Sequence, residues 1–205
     1  MIIISFSGLD GCGKSTQIDL LAKYLQKQNI GHKIIHIIQN SLANRLAKAM
    51  GKNRDGKYFQ QSGSKPRASW LGIQARKVAL VLDLLLFRLS LPFYQKKYTI
   101  LLCDRYFYDY LINIFYLQQR LNPSLPFLIK LLTPKPDLAI YLKVEPEQAQ
   151  VRKSDQGLKY LKNKYKIFQA LSSQVDFYSL DSSQSRKQTR AKIVSKVETI
   201  LKTDK

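Results

Sequence analysis

The first sixteen residues constrain the fold most, because an apolar run leads there directly into a glycine-rich turn. Residues 2–7 read as a buried strand, and the spacing of apolar residues within 13–28 predicts a helix. Between them, residues 8–16 read GLDGCGKST and match the pattern G-x-x-x-x-G-K-[ST]. Glycines let such a turn aim its backbone N–H groups inward at an anion. The segment therefore predicts a P-loop, the binding site for the polyphosphate of a nucleoside triphosphate.

The motif also assigns individual roles. Lys14 supplies a full positive charge to the β- and γ-phosphates, and the start of the following helix adds its positive dipole end. The Ser15 hydroxyl is placed to ligate Mg²⁺. The predicted ATP-binding residues of the loop are Gly8, Leu9, Asp10, Gly11, Cys12, Gly13, Lys14, Ser15 and Thr16.

Beyond the loop, the sequence alternates between strand and helix patterns. Apolar runs near residues 33–38, 99–103, 138–143 and 176–180 predict four further strands, with helical segments between them. We therefore expect one α/β domain over residues 1–205: a P-loop NTPase-type three-layer α/β/α fold with a five-stranded parallel sheet and helices on both faces. Residues 51–65, rich in Gly, Ser, Asn, Gln and Lys, are expected to form a flexible loop. Ligands of such sheets bind beyond the carboxyl ends of the strands.

A second candidate site follows the strand at 99–103. Asp104 at that strand end can hold Mg²⁺ directly or through water. Arg105 can bind a transferring phosphoryl group in bidentate fashion. The alternative interpretation of this pair is a surface salt bridge beside a core strand.

The charge balance narrows the class of partner. The chain has 34 basic and 14 acidic residues and a net charge of +20, which favours anionic partners: nucleotides, nucleic acid or an acidic membrane surface. No motif for binding RNA or DNA accompanies this charge. Two cysteines are too few for a disulfide scaffold, and residues 78–93 are expected to be too short and too charged to span a bilayer. These features predict a soluble, cytoplasmic protein.

Taken together, the motifs resemble the thymidylate kinase-like branch of the P-loop nucleoside monophosphate kinases. The resemblance is carried by residues 8–16, 104–106, 136–147 and 180–185, and by Arg152. It implies transfer of the ATP γ-phosphate to a nucleoside monophosphate with Mg²⁺, with dTMP to dTDP as the first expectation for the acceptor. It also implies a homodimer.

The same resemblance implies roles for residues around the phosphate loop. Arg152 opens a lid at about 152–160 that closes over ATP, and Asp181 and Ser183 run beside the adenine. Asp10 contacts the acceptor sugar, and Arg105 lies between the two phosphates. The residues implied to be catalytic are Lys14, Asp104, Arg105 and Arg152.

The acceptor pocket departs from the family pattern. The expected arginine and aromatic positions of the long helix fall near Leu84 and Leu80, and Asp109 stands where the family has serine. The substitutes considered for acceptor binding are Arg76, Arg88 and Tyr106, beside Asp10 and Arg105. Two alternatives therefore stay open: a kinase acting on a nucleoside, sugar or polynucleotide-end hydroxyl, and an ATP-binding module without catalytic activity.

Overall fold

The computed structural model describes residues 1–42, 45, 69–154 and 157–203. The sequence pattern also predicts a short basic helix over 42–50. Most of that segment lies outside the described residues, as do the expected loop at 51–65 and positions 155 and 156 of the expected lid. In chain order, the described elements are β1 (Ile2–Gly8), α1 (Lys14–Lys27), β2 (His32–His36), α2 (Trp70–Gln95), β3 (Ile100–Asp104), α3 (Phe107–Leu117), α4 (Phe127–Leu132), β4 (Leu138–Lys143), α5 (Pro146–Arg152), α6 (Leu158–Ser172), β5 (Tyr178–Asp181) and α7 (Arg186–Thr203).

The strands form a five-stranded parallel sheet in the order β2-β3-β1-β4-β5. On one side α1 packs against α7, and on the other α3 packs against α2 and α6. The sheet is therefore covered on both faces, and the predicted α/β fold is confirmed.

The central position of β1 explains its composition. All seven of its residues are buried, because β3 and β4 flank it and helices cover both faces. In the register, Phe6 pairs with Asp104 and Gly8 pairs with Leu142. The carboxyl ends of β1, β3 and β4 consequently lie side by side, which puts the glycine-rich turn next to the Asp104–Arg105 pair.

Helix α2 is longer than the sequence indicates. The pattern predicts that Pro92 closes it, whereas the helix continues to Gln95 with Pro92 inside its last turn. A proline removes its own N–H as a donor and crowds the preceding turn, but it does not prevent the residues after it from being helical. The 26-residue helix is also long and apolar enough, by length and composition, to cross a membrane, contrary to the expectation for 78–93. Only 17% of its most apolar window is buried.

Candidate functional site

The backbone of the glycine-rich turn accepts no side chain at two positions. Gly8 has φ +144°, and a Cβ there would lie 2.6 Å from the carbonyl oxygen of Leu142. Gly11 has φ +88°, and its Cβ would lie 2.5 Å from the carbonyl oxygen of Ala149. The turn is therefore held tightly between the end of β4 and α5, in a conformation that only glycine adopts without strain.

The start of α1 is open to an anion. Gly13 stands at its N-cap, so none of the described side chains caps the first turn, and that turn contains no acidic residue. The free N–H groups of a helix start carry partial positive charge and commonly bind phosphate or carboxylate.

Lys14 is a buried cation with no carboxylate partner among the residues that the structure describes. Its Nζ donates to the carbonyl oxygens of Gly8 (2.9 Å) and Leu9 (2.8 Å), and the residue is 6% exposed. Within the described residues, no carboxylate lies within ion-pair distance of this ammonium group. A buried charge is costly unless it is compensated, so an anionic ligand would supply the missing counter-charge.

Four side chains converge beside the loop, and we call them the Asp10 cluster: Asp10, Arg105, Tyr160 and Lys164. The Arg105 guanidinium donates to Oδ1 of Asp10. The Tyr160 hydroxyl donates to Oδ2 at 3.5 Å, and Lys164 Nζ lies 4.0 Å from the same oxygen. Burial alone would raise the pKa of Asp10, but the charges of Arg105, Lys164 and Lys14 hold it well below its usual range.

Lys164 was not identified from the sequence. It lies on α6 on the same face as Leu161, Phe168 and Leu171, all of which are buried. Its Nζ sits 4.6 Å from the centre of the Tyr160 ring, and burial lowers its pKa to about 8, although the charge of Asp10 opposes that shift. The available signal was a lysine at a core-facing position of an amphipathic helix.

The charges at this edge of the sheet add up to a positive surplus. Lys14, Arg105 and Lys164 face the ionised Asp10. Asp104 also lies at this edge, in contact with His36, whereas Asp109 is fully enclosed, and burial raises its pKa against the opposing charges of Arg105 and Lys14. The site therefore favours an anionic ligand.

Asp109 links β1, the strand that precedes the phosphate loop, to the segment after β3. Its Oδ2 accepts from the Ser7 hydroxyl (2.5 Å) and from the Tyr106 backbone N–H (3.1 Å). The intervening Arg105 has φ +63°, which is unusual for a residue with a side chain. The departure from serine at position 109 thus has a structural role, since it fixes the turn that presents Arg105.

Asp104, the predicted metal ligand, faces β2. Nδ1 of His36 lies 2.9 Å from its Oδ2, a contact that the sequence did not reveal. Among the residues that the structure describes, no three His, Cys, Asp or Glu side chains gather as a metal site. Mg²⁺ bound to a nucleotide usually takes few protein ligands. The exposed Ser15 hydroxyl, together with Asp104 acting through a water molecule, therefore fits as its protein ligands.

Arg152, the first residue of the expected lid, contacts the loop after β5, on the side where the sequence places ATP. Arg152 donates to the carbonyl oxygen of Ser182 at 3.0 Å, so its side chain is directed at that loop. The Ser183 backbone N–H donates to Asp181 at 2.8 Å, and Gln17 of α1 donates to the Arg186 carbonyl oxygen at 3.2 Å. The loop at 181–186 is thus connected to both the lid base and the helix of the phosphate loop.

The expected acceptor residues are more dispersed. Tyr106 is fully buried and donates to the carbonyl oxygen of Pro134 at 2.6 Å, which makes it a core residue with no surface for a ligand. Arg76 donates to Gly72 within α2, and Arg88 donates to Leu131 of α4. Twelve residues of helix separate these arginines by about 18 Å. Arg76 lies nearer the carboxyl ends of the strands, because α2 runs antiparallel to them.

Comparison with known proteins adds one short match. No family model matches the chain. A thymidylate kinase of Fervidobacterium nodosum is 55% identical over 29 residues, a segment that spans 14% of this chain and 15% of that protein. This similarity gives limited support for a relationship to kinases and for nucleotide binding in general.

The Gly11→Ala variant should bind an ATP analogue at least about tenfold more weakly, because its Cβ would displace the loop from α5. Gly31→Ala is the matched control, since a Cβ there meets other atoms only at 3.9 Å. Titration calorimetry on both variants, with circular dichroism to check folding, measures the effect. Equal affinities of the two folded variants would contradict the assigned role of the loop.

Because of Lys164, the free energy of unfolding should increase between neutral and alkaline pH. Its pKa is lowered on folding, so the buried charge destabilises the protein below pH 8, and this cost vanishes as pH approaches the ordinary value of 10.5. The difference corresponds to at most about 3 kcal/mol. Urea unfolding of wild type and Lys164→Met at pH 7 and pH 10 measures it, and the advantage of the variant should shrink at pH 10. A difference between the two proteins that does not change with pH would argue against a charged, buried Lys164.

Proposed function

We propose that this chain is a P-loop phosphotransferase that uses ATP and Mg²⁺ to phosphorylate a nucleoside monophosphate. The observation that carries the proposal is the buried Lys14 ammonium, which lacks a described carboxylate partner and stands at the open start of α1 inside a glycine cradle. The short similarity to a thymidylate kinase supports the same class of reaction.

In this proposal the loop holds the donor. Lys14 and the N–H groups of the first turn of α1 bind the β- and γ-phosphates. Mg²⁺, held through Ser15 and Asp104, neutralises charge on the phosphates when it is bound. Asp181 and Ser183 line the side of the adenine.

Three cations neutralise the charge that spreads over the transferred group: Lys14, Arg105 and Lys164. Within residues 8–16 the basic residue is Lys14, so Arg105, which follows β3, and Lys164 of α6 supply the further positive charge. Both contact Asp10, whose carboxylate holds them together before the ligand arrives. Arg152 joins them when the lid closes and its side chain leaves Ser182.

A monophosphate acceptor suits this site better than a hydroxyl acceptor. A phosphate oxygen is already anionic and needs no base, so catalysis consists of positioning and charge neutralisation. A hydroxyl acceptor needs a base, for which Asp10 and Asp104 are the candidates. Asp10 is a poor base because its pKa lies well below the usual range, and Asp104 is already in contact with His36. Thymidylate is the first acceptor to test, with Asp10 at the sugar and Arg76 as the arginine of α2 nearer the site.

A panel assay tests the reaction. The protein with ATP and Mg²⁺ should form ADP when a nucleoside monophosphate is present, and Lys14→Ala should lower that rate at least about a hundredfold. Lys23→Ala removes an exposed lysine of the same helix and should have no effect. Turnover on nucleosides, sugars or oligonucleotide ends would favour a hydroxyl kinase, and ATP binding without turnover would favour a non-catalytic module.

The Arg152→Ala variant should lower kcat about tenfold or more while ATP affinity changes much less, because its charge acts on the transition state. Steady-state kinetics combined with equilibrium binding of an ATP analogue separates the two quantities. An unchanged kcat would remove Arg152 from the catalytic set.

A further inference from the structure

A groove between α1 and α7 is lined mainly by basic side chains. Its lining residues are Leu20, Lys23, Gln26 and Lys27 of α1 and Arg190 of α7, and we call it the basic groove. Lys23 and Lys27 are exposed, and Arg190 is partly buried. Within the described part of the chain, no acidic side chain lines the groove, so it is a concave surface of one charge sign.

Helices α1 and α7 run side by side in the same direction. Gln17 of α1 donates to the Arg186 carbonyl oxygen at the start of α7. Farther along both helices, the Tyr24 hydroxyl donates to the Glu198 carboxylate. The basic groove therefore follows the two helix axes.

Basic side chains recur on successive turns of both helices. Lys23 and Lys27 are four residues apart on α1, and Arg186 and Arg190 are four residues apart on α7, where Lys187 adds a further charge. Four residues of helix span about 6 Å, so each helix presents a row of cations rather than a single one. Two adjacent rows of cations suit a chain of phosphates better than one isolated anion.

These five cations form no ion pair with a carboxylate among the residues that the structure describes. The acidic residues of the two helices are Asp19 and Glu198, and neither lines the groove. Glu198 already accepts the hydrogen bond from Tyr24. Like charges four residues apart on a helix repel each other, so an anionic partner would relieve a repulsion that the described contacts leave in place.

The surroundings of the groove distinguish among anionic partners. On residues 14–27 and 186–203, every one of which the structure describes, no large apolar side chain is exposed, so a bilayer would gain no apolar burial there. No described aromatic ring lines the groove, so it offers no platform on which the bases of a single strand could stack. A nucleic-acid duplex needs neither feature, because its outer surface is a repeating array of phosphates.

We propose that the basic groove binds the phosphate backbone of a nucleic-acid duplex without reading its sequence. Lys23, Lys27 and Arg190 contact phosphates in the groove, and Arg186 and Lys187 extend the contact along α7. The groove lies beside the second half of α1, whereas the phosphate loop precedes the start of that helix. This binding is therefore independent of the proposed phosphotransfer.

Fluorescence anisotropy with a labelled duplex tests the proposal. The full chain is titrated into a random-sequence DNA duplex of about 20 base pairs, at several concentrations between about 50 and 200 mM salt. We expect binding that weakens steeply as salt rises. The double variant Lys27→Gln, Arg190→Gln should bind about tenfold or more weakly at the lowest salt concentration, and the slope of log affinity against log salt should be smaller by about two.

The matched control removes the same charge from the opposite face of the sheet. Lys96 follows α2 and Lys130 lies in α4, and both are exposed. The double variant Lys96→Gln, Lys130→Gln should therefore bind the duplex as wild type does, with an unchanged salt slope. Circular dichroism shows whether both double variants are folded.

Four results would overturn the proposal. One is the absence of duplex binding at about 50 mM salt. Another is equal affinity of the two double variants, which would assign binding to general surface charge. The third is loss of duplex binding in Lys14→Ala, which would place the DNA at the phosphate loop. The fourth is tighter binding to vesicles with about 30% phosphatidylserine that requires Lys27 and Arg190, which would assign the groove to a membrane.

Discussion

The ion pair between Asp10 and Arg105 is the contact on which the candidate site depends. It joins the phosphate loop after β1 to the segment after β3, and both side chains are largely enclosed. Parallel pairing of β1 and β3 brings their carboxyl ends together, and Asp109 fixes the turn between β3 and α3. Two charged side chains lose hydration when they are buried. The Asp10–Arg105 ion pair is therefore stable only because other charged groups around it compensate that loss.

The charged side chains around this ion pair determine what kind of ligand the carboxyl-terminal edge of the sheet favours. Lys14 and Lys164 are both buried, and the charges of both act on the ionised Asp10. A surplus of positive charge on buried, already ordered side chains is an arrangement suited to a polyphosphate, because no further ordering is needed when the ligand binds. The cations come from the start of α1, the end of β3 and the middle of α6, so the ligand would be enclosed from three sides.

Much of the scaffold could be predicted from the sequence, and the reasons are physical. The glycine pattern and the apolar run of β1 specify the phosphate turn, because few other residues adopt the φ values of Gly8 and Gly11. The end of α2 was placed wrongly because a proline disfavours the continuation of a helix without preventing it, and α2 continues from Pro92 to Gln95. Lys164 and His36 were missed because their importance comes from partners far along the chain, Asp10 and Asp104. Tyr106 was expected to contact the acceptor but is buried in the core. The sequence pattern does not distinguish an aromatic residue of the core from one that binds a ligand.

The order in which the ribosome produces these residues has a consequence for folding. Arg105 is made 95 residues after its partner Asp10, and Lys164 follows much later on α6. The cleft can therefore acquire its full charge only after most of the chain has emerged and the sheet has formed through long-range pairing. The four side chains of the Asp10 cluster can therefore come together only after α6 has been made, while β5 and α7 are still to follow.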